Sequence, residues 1–112
     1  MRSIFFTEKG KVVVDTEKDD LIYDAPTETA DFRGLTSGKD LYVHTTKKGD
    51  IVFYFHVWSR YESVPDRNEL ATKDEAMKYI AEQTQRGGVF MPSENEIQKF
   101  LKYVPDFLEE NA

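Results

Sequence analysis

Two stretches of the chain carry β-rich apolar runs on both sides of a short turn that contains lysine and ends in glycine. The first stretch spans residues 3–15, with Glu-Lys-Gly at positions 8–10. The second spans residues 40–64, with Lys-Lys-Gly at positions 47–49. A three-residue loop whose glycine takes a left-handed backbone is a common connection between antiparallel strands. The pattern therefore predicts two β-hairpins.

The turn of the second hairpin predicts a register for its strands. If residues 47–49 form the loop, Thr46 faces Asp50, and the partners further along are His44 with Val52, Val43 with Phe53, and Leu41 with Phe55. One face then carries the apolar side chains of Leu41, Val43, Ile51, Phe53, Phe55 and Val57. The other face carries Tyr42, His44, Val52, Tyr54, His56, Trp58 and Arg60. A two-residue loop would mix these two sets, so the clean partition favours three residues.

The rest of the chain predicts a loop and two helices. Residues 15–40 hold an acidic cluster, scattered prolines and glycines, and one short apolar run, so we expect a long loop with room for one short strand. Thr72 with Glu75, and Ser93 with Glu96, are capping boxes that open helices near 73–86 and 94–104. The Gly-Gly pair at 87–88 and Pro105 end them.

Strands first and helices last is the order of an α+β protein. We predict an antiparallel sheet of four or five strands, built from both hairpins, with the two C-terminal helices packed on one face. Residues 1–112 are predicted to form a single domain, which is a typical domain size. The predicted core consists of Val43, Phe53, Phe55, Val57, Met77, Ile80, Phe100 and Leu101.

Composition narrows the classes of function and the compartment. The net charge is −6, which disfavours non-specific nucleic-acid binding because phosphate is repelled. The chain has no cysteine, which removes disulfides and thiolate metal sites and fits a reducing compartment. No apolar run is long enough to span a membrane, and the N-terminus lacks the pattern of a signal peptide. We therefore expect a cytoplasmic protein without a membrane partner.

Motifs of catalysis and cofactor binding are missing. The chain has no phosphate-binding loop, dinucleotide fingerprint or nucleophile elbow. The acidic stretch after Asp15 resembles a calcium loop for three ligands only, since Asp20 stands where glycine is needed and Pro26 where a glutamate is needed. His44 and His56 are predicted to lie roughly 13 Å apart along the sheet, too far to share a metal ion. We predict no catalytic residue, metal or cofactor, and lean away from an enzyme.

The aromatic and basic face of the second hairpin is the candidate binding surface, formed by Tyr42, His44, Tyr54, His56, Trp58 and Arg60. These residue types dominate protein interfaces, so a protein- or peptide-interaction module is the first hypothesis. Single-stranded nucleic acid stacked on the same face is the second. A small-molecule or enzymatic cleft between loop 15–40 and the sheet is the third, lined by Tyr54, His56 and Arg60 under Asp24 or Asp31. If loop 15–40 covers this face, its aromatics are ordinary packing.

Overall fold

Six strands precede two α-helices in the computed structural model, which describes residues 1–112. The strands are β1 Arg2–Thr7, β2 Gly10–Asp15, β3 Asp20–Tyr23, β4 Ser37–Thr45, β5 Ile51–Ser59 and β6 Arg67–Ala71. The helices are α1 Lys73–Arg86 and α2 Glu94–Tyr103, separated by a 3-10 turn at Gly88–Phe90. The predicted α+β class is confirmed. Neither helix has the length and apolarity needed to cross a membrane.

The strands form two antiparallel sheets where the sequence predicted one. Strands β3-β4-β5-β6 make the larger sheet, and β1-β2 make a separate pair. The first hairpin lies against the larger sheet because Val12 and Val14 share one apolar face and pack on Tyr54 of β5. The turn between β2 and β3 is tight, since the Asp19 carboxylate accepts the Asp15 amide hydrogen at 2.7 Å. That turn folds the hairpin back over the sheet.

The predicted register of the second hairpin is confirmed. His44 pairs with Val52, and the partners continue along β4 and β5 as expected. The Thr46 amide donates to the Asp50 carbonyl at 2.9 Å, and Gly49 closes the turn with φ of 88°. The first hairpin differs, because Thr7 pairs directly with Gly10 and leaves a two-residue loop. The Thr7 hydroxyl supplies the closure there by donating to the Gly10 carbonyl at 2.9 Å.

The helices bury the apolar face of the second hairpin. The main core contains Ile22, Tyr23, Ala25, Leu41, Val43, Phe53, Phe55, Ala76, Ile80, Phe100 and Val104. Of the predicted core, Val57, Met77 and Leu101 are only half-buried and lie at its margin. Both capping boxes are present as predicted, and α2 ends one residue earlier than expected, two residues before Pro105.

Candidate functional site

The middle of the predicted aromatic face is covered. Tyr54 has 0% of its surface exposed, under Val12 and Val14 of the first hairpin. Tyr42 is half-buried and stacks on Tyr54, with ring centroids 5.3 Å apart and planes 14° apart. The covering element is the first hairpin, whereas the sequence pointed to loop 15–40. These two tyrosines therefore act as packing between the sheets.

His56 joins the two sheets through an amide. Asn68 of β6 donates from Nδ2 to the Ser3 hydroxyl at 3.0 Å and to the Met1 carbonyl at 3.3 Å. Its Oδ1 is thus the acceptor, and the His56 Nδ1–H donates to it at 2.8 Å. The other ring nitrogen lies 3.5 Å from Asp66 Oδ2. His56 is therefore held in one orientation by groups that also fix β1.

Trp58 lies at the far end of β5 and Arg60 just beyond it, and they contact the start of β4 and the 24–36 loop. Trp58 is half-buried against Gly38, where an added Cβ would come within 2.5 Å of the indole ring. Arg60 is exposed, and its Nη2 donates to the Thr27 carbonyl at 2.9 Å. Nearby, burial raises the pKa of the Asp40 carboxyl, although the Ala25 amide hydrogen bonded to it opposes the shift.

His44 belongs to a half-buried network at the opposite end of the sheet. Asp19 accepts from the Tyr54 hydroxyl at 2.8 Å and from the Asp15 amide at 2.7 Å. The remaining oxygen of Asp19 lies 2.8 Å from His44 Nδ1, and because a carboxylate only accepts, Nδ1 carries a proton. Burial, followed by the bond to Asp19, raises the pKa of Tyr54. The network holds the imidazole of His44, which also lines a neighbouring cleft.

That cleft lies between the tips of the two hairpins and measures about 1080 Å³. The end of β6 with the start of α1 closes a third side. We call the apolar lining side chains that are buried or half-buried the floor of the cleft. They are Val12, Val52, Phe53, Leu70 and Ala71. The volume is at the upper end of what ligand sites offer. An open cleft with an apolar floor therefore occupies much of one end of this small protein.

The exposed margin of the cleft is basic. Its lysines are Lys9, Lys11, Lys47, Lys48 and Lys73, and its carboxylates are Glu8, Asp50 and Glu75. Lys73 is paired with Asp106 at 3.1 Å, but none of the other four lysines has an ion-pair partner. The four unpaired lysines exceed the three lining carboxylates by one, so the margin carries a small positive excess in a chain of net charge −6, which favours anions here over the rest of the surface.

Only one of the residues that line this cleft was predicted as a binding residue. Of the six predicted binding residues, His44 lines it and the other five do not. Residues 47–49 were predicted only as the turn of the second hairpin. The signal that could have found the cleft is the similarity of the two lysine-bearing turns, which line the same cleft although they are far apart in sequence. No three carboxylate or histidine side chains converge as a metal ion would require.

Comparison with known proteins adds no relative. The sequence matches no family model, and neither a curated protein nor a solved structure matches it.

Proposed function

We propose that the protein is a non-catalytic interaction module that binds an acidic peptide segment of a partner protein in the cleft between the two hairpins. The observation that carries the proposal is the set of four unpaired lysines around an apolar floor. A protein- or peptide-interaction module is also the first hypothesis from the sequence. The proposed binding surface is now the cleft and not the aromatic face, because Tyr54 is covered. We further propose a cytoplasmic location, which the cysteine-free composition fits.

A peptide fits the lining better than a nucleic acid does. Single-stranded nucleic acid binds largely by stacking bases on exposed aromatic rings. The aromatic residues of the cleft are Phe53, only 6% exposed, and Tyr103, whose hydroxyl is bonded to Asp20. An apolar floor beneath lysines suits a chain that carries both aliphatic and carboxylate side chains.

A small-molecule site under loop 15–40 has less support. The cavity that this loop borders, beside Gly38 and Tyr79, measures about 70 Å³. Pockets for small molecules measure roughly 300–1,000 Å³. The cleft between the hairpins is therefore the stronger candidate for any ligand.

The test measures binding of short fluorescent peptides by anisotropy. A peptide of alternating glutamate and valine should bind, and one of alternating lysine and valine should not. Lys11→Glu and Lys48→Glu should each lower the affinity for the acidic peptide roughly tenfold, which corresponds to about 1.4 kcal/mol of binding free energy. Lys18→Glu is the matched control, because Lys18 is exposed, has no ion-pair partner and lies outside the cleft. It should change affinity much less than either cleft variant.

Three results would count against the proposal. The first is equal loss of affinity in Lys18→Glu and Lys48→Glu, which would indicate a general field effect. The second is equal binding of the basic peptide. The third is tighter binding of a single-stranded oligonucleotide with a steep dependence on salt, which would favour the nucleic-acid hypothesis.

A further inference from the structure

Strand β2 has a free edge. It pairs with β1 on one side, and no strand pairs with it on the other. In an antiparallel pair, every second residue of a strand points its amide and carbonyl away from its partner. No hydrogen bond outside the β1–β2 pairing involves the backbone of Lys11, Val12 or Val13. This strand therefore presents unused main-chain donors and acceptors.

The free edge of β2 faces the cleft. Three consecutive residues of β2, Lys11 to Val13, line it, whereas β1 contributes only Thr7 at its end. The edge strand β3 is different, because α2 approaches it and Lys99 donates to the Leu21 carbonyl at 3.3 Å. The cleft thus combines a free strand edge, an apolar floor and unpaired lysines at one place.

We infer that the acidic segment binds as an extended third strand added to the free edge of β2. This inference rests on the proposed function and specifies its ligand. Main-chain hydrogen bonds would supply sequence-independent affinity, and alternate side chains would supply selectivity. The ligand is a segment of a partner protein of about five to eight residues, the usual length of a strand.

The alternation of β2 sets the chemistry of that segment. Val12 and Val14 point toward Tyr54, while Val13 and Lys11 point outward. Side chains of an added strand follow the same alternation as their neighbours. Every second residue of the ligand therefore packs inward toward Val52 and is apolar, and the residues between them lie beside Lys11 and are Asp or Glu.

Lysine on the edge also explains why the edge stays free in the absence of a partner. Charged residues on edge strands discourage pairing between identical copies. A ligand that brings carboxylates removes this obstacle, whereas a second copy brings the same lysines.

The test uses an alternating glutamate–valine peptide of about eight residues in three forms. One is unmodified, one carries N-methyl groups on its valine amides, and one carries them on its glutamate amides. An added strand uses the amides of alternate residues only, so one methylated form should lose affinity roughly tenfold or more and the other should keep it. When the unmodified peptide binds, hydrogen exchange should slow most at the alternate amides of β2 that point away from β1.

The outcomes separate the two proposals. Binding that survives both methylated forms, or falls equally in both, overturns strand addition and leaves the cleft as a peptide site. Absence of binding by the unmodified peptide overturns both proposals. Protection of the β2 amides without peptide, together with a dimer by light scattering, shows that a second copy occupies the edge and overturns the inference.

Discussion

The buried hydroxyl of Tyr54 offers the most direct test of how the two sheets are joined. Tyr54→Phe keeps the ring between the sheets and removes only the hydrogen bond to Asp19 at 2.8 Å. A hydrogen bond to a charged group contributes about 1.5–3 kcal/mol. Asp19 keeps its bonds to Asp15 and His44, so the expected loss lies at the lower end, about 1.5–2 kcal/mol.

Thermal and urea unfolding measure this loss. For a chain of this length, about 4 °C of melting temperature accompanies each kcal/mol, so Tyr54→Phe should melt roughly 6–8 °C lower. Tyr42→Phe is the matched control, because Tyr42 stacks on Tyr54 but its hydroxyl has no hydrogen-bond partner. It should change stability by less than about 0.5 kcal/mol.

Equal stability of Tyr54→Phe and Tyr42→Phe would contradict a stabilising role for the hydrogen bond between Tyr54 and Asp19. A double-mutant cycle with Asp19→Asn locates the cause, since Tyr54→Phe should cost less in that background if the bond to Asp19 carries the effect. Equal cost in both backgrounds would place the effect elsewhere in the packing of Tyr54.

Three further predictions concern the main core, one close contact and alkaline pH. Phe53→Ala should lower the free energy of unfolding by about 3–5 kcal/mol, and a loss below about 1 kcal/mol would show that the wrong face was assigned to the core. Gly38→Ala should lower the free energy of unfolding by about 1–3 kcal/mol, because the new Cβ would lie 2.5 Å from the indole of Trp58. It should also change the fluorescence of Trp58, the only tryptophan. An unchanged spectrum and an unchanged stability would contradict this contact. Burial, and then the charge of Glu96, raises the pKa of Tyr23 from its ordinary 10.0 to about 12. The contribution of Tyr23 to stability is therefore complete below pH 10 and is lost as pH rises toward 12. Urea unfolding across this window should show a smaller decline in Tyr23→Phe than in the wild type.

The second hairpin could be predicted in detail because its alternation and its turn agree. Leu41 and Phe55 face the helices, and a shift of one residue would have sent both to the other side. The first hairpin offers no such alternation, because residues 4–6 and 12–14 are uninterrupted apolar runs. Which of its two faces is buried, and that this face packs on Tyr54, therefore lay outside the reach of the pattern.

The cleft could not be predicted for a related reason. Its unpaired lysines come from two hairpins separated by about a third of the chain, and Leu70 comes from a third segment. Lysine in a turn is ordinary solvated surface unless another element faces it. His44 was found because alternation reports which face a residue occupies, but its partner Asp19 lies in an acidic turn whose path the sequence does not define.

The small cluster beneath the first hairpin has a consequence for local unfolding. It contains Val12, Val14 and Tyr54, whereas the core under the helices contains eleven buried residues. Regions with little buried apolar surface open at a lower free energy than the whole protein. Strands β1 and β2 should therefore detach as a unit, exposing Tyr42 and Tyr54 and dismantling the cleft in the same event. A ligand that requires the cleft would then slow amide exchange throughout the hairpin, including positions that it never touches.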